Sequence, residues 1–121
     1  MTTVWNTEPE TFSFVSACFD VAEAKRVLTE KPHKVGNMEI ADVARLVGEP
    51  GKIVLGVSVN WERVQNDPSI DLTVPVILAW TKAGSLLPID GWHRIAKAKL
   101  QGATSLPAVV LNKTESRRCW L

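Results

Sequence analysis

Residues 87–99, Leu-Pro-Ile-Asp-Gly-Trp-His-Arg-Ile-Ala-Lys-Ala-Lys, decide how this chain is read. Leu86 to Ile89 is a short strand, and Asp90-Gly91 is turn chemistry. From Trp92 onward the apolar period changes from two to about 3.6. Ile95, Ala96, Ala98, Lys99 and Leu100 then outline a helix that Gly102 ends. A helix that begins at a turn offers first-turn amides without intrahelical partners, at the positive end of its dipole. Gly91 lets the backbone turn sharply and approach a ligand closely. His93 and Arg94 add donors at the same end, and an arginine grips a phosphate through two parallel hydrogen bonds. Two cationic groups at a helix start oppose the dipole, a local conflict that an anion relieves. The junction from Leu87 to Lys99 is therefore expected to hold a phosphate-like anion. A plainer reading of the same residues makes Asp90 the helix cap. It pairs Arg94 with Asp90 or with the tail, and leaves His93 a satisfied structural histidine.

The flanks extend this pattern. Val74 to Trp80 (VPVILAW) is a strand, with Pro75 near its start or on an edge. Lys82-Ala83-Gly84-Ser85 is a hairpin turn, and Leu106 to Leu111 is the next strand. Upstream, Phe12 to Phe19 (FSFVSACF) reads as one strand. Asp20 and Glu23 open a helix whose apolar face is Val21, Ala24, Val27 and Leu28, and Pro32 stops it. Asn37 is the expected cap of a second helix through Ile40, Val43, Ala44 and Val47, ended by Gly48. Glu49-Pro50-Gly51 is a turn, and Ile53 to Val59 (IVLGVSV) a β-branched strand. Asn60 to Asp71 is polar, with a turn at Asp67-Pro68-Ser69, and the tail from Asn112 is polar and basic before a final Cys-Trp-Leu. The order predicts an α+β fold, a small mixed sheet flanked by helices, as a single domain over residues 1–121.

Composition narrows the function classes. A chain of 121 residues, 45% hydrophobic and 22% charged, has an ordinary globular balance and length for one core. The net charge of +1 carries no long-range field toward nucleic acid. Cys18 and Cys119 have neither CxxC spacing nor an adjacent histidine, which excludes a zinc motif. They are expected to be one buried thiol and one free near-terminal thiol. The opening MTTVWNTEPE lacks the basic and apolar segments of a signal peptide, and no apolar run reaches membrane-spanning length. A cytoplasmic protein without a membrane partner is expected.

Taken in order, VPVILAW, KAGS, LLPI, DGWHR, IAKAKLQG and SLPAVVL resemble the fold shared by ParB-type partition proteins, sulfiredoxins and free serine kinases. The likeness covers residues 74–113, about a third of the chain. It implies that the DGWHR loop binds nucleotide phosphates through Gly91, His93 and Arg94. It further implies that Asp90 acts as a general base or as a magnesium ligand, with ATP or CTP as the nucleotide. Trp92 stands where sulfiredoxins carry a reactive cysteine, so that repair chemistry is not expected. Trp92 and His93 also replace the Glu and first Arg of the GERR loop of CTP-hydrolysing partition proteins. The expected function is a small phosphate- or nucleotide-binding protein, extending to phosphotransfer or nucleotide hydrolysis with magnesium. One alternative is a non-catalytic accessory protein of the plasmid or phage type that binds a protein or nucleic acid. Another is a ParB-like nuclease. The near-neutral net charge weakens both of these readings for DNA, because polyanion affinity rests on clustered Lys and Arg.

Among other residues, Trp92 is expected to stack on a base, cover the pocket, or wedge a degenerate site shut. Lys82 either reaches the phosphates or is solvated. Glu62, Asp67 and Asp71 are candidates for a second carboxylate. Trp61 and Trp80 belong to the core or its edge. Arg117 and Arg118 extend the basic surface or solubilise the tail, and His33 carries no functional signal.

Overall fold

The computed structural model describes residues 4–14, 17–52 and 56–121. Its centre is a sheet of four strands: β3 (Gly36–Glu39), β4 (Val76–Trp80), β5 (Leu86–Asp90) and β6 (Ser105–Val110), in the order β3-β6-β4-β5. β6 runs parallel to β4 and antiparallel to β3, and β5 returns antiparallel to β4. The buried runs of β4 and β6 explain the placement, since central strands are covered on both faces. Pro88 lacks an N–H and sits on β5, an edge where no ladder donor is needed. β5 bulges against β4: Ile77 pairs with Asp90 while Leu78 pairs with Pro88, which leaves Ile89 as the extra residue. A bulge bends its strand, and this one lies beside the turn at Gly91.

From that turn α4 (Trp92–Leu100) crosses to β6, burying Trp92, Ile95, Ala96 and Ala98. α1 (Val21–Glu30) starts as the sequence indicates, with Asp20 accepting from the Glu23 N–H at 3.0 Å and Val21, Ala24, Val27 and Leu28 buried. The class is the expected one: a mixed α+β domain with a two-stranded and a four-stranded sheet, and five α-helices, among the described residues. No helix among them is long and apolar enough to cross a membrane.

Four local expectations change. The FSFVSACF run is not one strand but the arms of an antiparallel pair, β1 (Thr11–Phe14) and β2 (Ala17–Asp20), with Phe12 opposite Phe19. Residues 15 and 16, between the two arms, lie outside the described ones, and the run carries no Gly, Pro, Asn or Asp to mark a turn. Asn37 does not cap a helix. It pairs with Pro107 inside β3, so tertiary pairing overrides the local cap signal. What remains of the second helix is a 3-10 turn (Ile40–Asp42) and the short α2 (Ala44–Val47). In IVLGVSV, residues 53–55 are outside the described ones and Gly56 to Val59 form no strand. Gly56 packs so closely on the Leu46 carbonyl that a Cβ there meets backbone, which accounts for the glycine. Finally, the near-terminal thiol is the buried one. Cys119 is fully buried, and burial first, then the Glu23 charge, pushes it up to about 11, while Cys18 is partly exposed.

Two helices lie in segments read as polar loops, α3 (Trp61–Asn66) and α5 (Lys113–Cys119). α5 opens with a reciprocal cap: Asn112 accepts from the Glu115 N–H at 2.8 Å, and Glu115 accepts from the Asn112 N–H at 2.9 Å. The helix is tied to α1 by Arg118, which donates to both oxygens of Glu30 at 3.0 Å. His33 approaches the same buried Glu115 at 2.8 Å. Asn112→Ala is expected to lower the unfolding free energy by about 1 kcal/mol, whereas Asn112→Gly costs a few tenths of that unit. Urea unfolding followed by circular dichroism checks both.

Candidate functional site

At the junction Gly91 adopts φ +100°, a left-handed conformation that favours glycine, and no side chain caps α4. Asp90 is therefore not the cap. Its carboxylate is turned to Arg94, whose Nη2 donates to Asp90 Oδ2 at 2.9 Å. The Nη1 of Arg94 donates to the carbonyls of Val74 at 2.8 Å and Pro75 at 3.0 Å. One guanidinium thus ties the approach to β4, the end of β5 and the start of α4. To do so it lies flat against Gly91, where a Cβ would come within 3.0 Å of Nη2. A side chain at position 91 would be strained by φ, and its Cβ would crowd the Arg94 guanidinium.

Three of Arg94's five N–H donors are accounted for. The Nε hydrogen and one on Nη2 have no partner among the described residues. The guanidinium face lies against Gly91, at the start of α4. A cavity of about 460 Å³ opens there, within the range of small-molecule sites. It brings together six of the residues singled out from the sequence: Asp71, Asp90, Gly91, Trp92, His93 and Arg94. Of these, Trp92 is only 5% exposed. The Trp92 ring stacks on Phe12 at 6.1 Å, and Nε1 donates to the Pro88 carbonyl at 2.9 Å. It is held as a wall, not as a free stacking platform.

His93 is held as an acceptor: the Asn60 N–H donates to its Nε2 at 3.3 Å. That bond places the ring proton on Nδ1. Burial first, then the Arg63 charge, holds the imidazole below its ordinary range, so at neutral pH His93 is an uncharged polar group. Asp90 is flanked by two cations, with Arg94 on Oδ2 and Lys25 Nζ 4.0 Å from Oδ1. Its charge is already met, an arrangement that fits an anchor for Arg94 better than a magnesium ligand or a general base. Lys82 is not brought to this cavity. It lies over the Trp120 ring at 5.7 Å, in a second, apolar cavity. Of the three other carboxylates, Asp71 lines the main cavity, while Glu62 and Asp67 line a separate surface groove. The Ser69 hydroxyl and N–H, then Arg63, draw Asp67 down to about 2.

The cavity has walls that the sequence reading missed. Trp5, Asn6 and Glu10 come from the N-terminal arm, Lys25 from α1 and Arg63 from α3. Lys25 carried a readable signal: it is four residues after Val21 and three before Leu28, on the inward stripe of α1. The arm and Arg63 carried none.

Arg94→Lys is expected to destabilise the chain by about 2–3 kcal/mol in urea titration, because an ammonium cannot serve two carbonyls and a carboxylate in one plane. A second expectation concerns pH. A histidine whose folded-state affinity for protons is depressed leaves the unfolded chain binding more protons. Stability should then fall as pH drops through the unfolded imidazole's range, near about 6.5. His93→Gln should flatten that part of a melting-temperature profile recorded from pH 8 down to pH 5. No protein-family model, curated protein or solved structure matches the chain, so the likeness of residues 74–113 rests on its motif.

Proposed function

We propose that this protein binds a phosphate-bearing small molecule, a nucleotide being the class that best suits the cavity, with the phosphate at the start of α4. The observation that carries the reading is the glycine turn. It leaves the first-turn amides of a nine-residue helix without a side-chain cap and lays against that turn an arginine with two N–H groups that have no partner among the described residues. Uncapped helix amides, the dipole and a guanidinium on one cavity are the chemistry of a phosphate site. Arg63 adds a half-exposed cation at the rim, and the partly buried Trp5 adds a flat apolar wall of the kind a base packs on. The likeness of DGWHR to nucleotide phosphate loops supports the same reading. Binding is the core of the proposal. Phosphoryl transfer is not part of it, since Asp90 is committed to Arg94 and His93 is uncharged and held by Asn60.

The test is a melting and calorimetric screen of pyrophosphate, ATP and CTP, each with and without magnesium. Binding with stabilisation of several degrees at ligand in large excess is expected, with binding weakened about five-fold in Arg63→Ala. No heat and no shift with any of the three would remove the proposal. A shift that disappears steeply with salt and appears only with oligonucleotides would favour nucleic acid instead.

A further inference from the structure

We infer that Glu10 occupies the anion position on Lys25, and that a phosphate group binds by displacing this carboxylate, with Lys25 becoming a ligand-holding cation. The inference rests on reading the cavity as a phosphate site.

Lys25 Nζ meets Glu10 Oε1 at 2.8 Å, and its next carboxylate, Asp90, stands 4.0 Å away. The pair is asymmetric. The Lys25 side chain is 12% exposed, whereas that of Glu10 is 45% exposed. The cation belongs to the wall of the cavity, and its partner reaches it from the solvent side. The two carboxylates are also held differently. Asp90 is bonded to Arg94 and sits on β5. Glu10 is fixed only through its main chain, whose carbonyl accepts from the Val21 and Ala22 N–H groups at 2.9 and 3.3 Å. Its side chain can rotate into water without disturbing those bonds.

An incoming phosphate carries more charge than a carboxylate and several acceptor oxygens, which suits the three donors of an ammonium. Both anions compete for one ammonium at the edge of water. The stronger one holds it, and the displaced carboxylate is resolvated at little cost. The arm that carries Glu10 also brings Trp5 and Asn6 to the cavity. Displacement at Glu10 therefore acts on the same segment that bounds the ligand.

The experiment is calorimetric titration of pyrophosphate into the full chain at fixed ionic strength. It compares wild type with Glu10→Gln, Asp71→Asn, Lys25→Gln and the double variant Glu10→Gln/Lys25→Gln. Glu10→Gln is expected to bind about five-fold more tightly than wild type. Asp71→Asn removes the same charge from the cavity wall without touching Lys25, and is expected to change affinity much less. The gain from Glu10→Gln should vanish when Lys25 is already Gln, the signature of a coupled pair. Equal or weaker binding by Glu10→Gln, with wild type binding normally, overturns the inference and leaves the phosphate reading standing. So does an equal gain from Asp71→Asn, which would mark a general charge effect. Absence of binding in both wild type and Glu10→Gln overturns the inference together with the reading. Should the Lys25 variants fail to fold, the comparison of Glu10→Gln with Asp71→Asn decides alone.

Discussion

The guanidinium of Arg94, folded back over Gly91, is the constraint around which the junction is arranged. It neutralises Asp90 at the end of β5 and satisfies the carbonyls of Val74 and Pro75 where the chain enters β4. Two strands and one helix thereby share a planar group whose geometry tolerates little movement. Further along α4, lysines do related work. Lys97 donates to the Ile70 carbonyl at 2.7 Å, and Lys99 to the carbonyls of Ala44 and Gly48. The helix thus holds α2 and the segment before β4 through their main-chain carbonyls.

The cavity is lined by three cations, Lys25, Arg63 and Arg94, and three carboxylates, Glu10, Asp71 and Asp90. Arg94 is paired with Asp90, Lys25 with Glu10, and Arg63 with Asp67. On the proposed reading, an entering anion would exchange partners instead of answering bare charge, in keeping with a net charge of only +1. Such a site gains selectivity from geometry more than from field.

Legibility in the sequence followed the range of the forces involved. The strand–turn–helix junction was readable because period, turn and cap are local, and residues 74–111 fold in the order that pattern implies. Asp20 with Glu23 was readable for the same reason. The Asn112-x-x-Glu115 box is equally local, but the helix it opens is only seven residues long and mostly polar, without an apolar period to read. β3 was not readable, since Gly36 to Glu39 becomes a strand through pairing with distant β6. The role of Arg94 was visible as two open alternatives. Only the fold shows that it pairs inward and still keeps an edge toward the cavity. Trp92 looked available for stacking until Phe12, from the other end of the chain, was seen to cover its ring.

The position of β6 has a consequence for how the chain is made. It pairs with β3 on one side and β4 on the other, and its partners at residues 36–39 lie roughly seventy positions earlier in the chain. During synthesis both of those neighbours leave the ribosome before the strand that joins them. Until residues 105–110 emerge, β3 has no partner in this sheet and the β4–β5 hairpin presents an open edge on its buried, apolar side. Until that strand emerges, the nascent chain carries an unpaired edge open to aggregation. The last strand to arrive converts two separate pieces into one sheet.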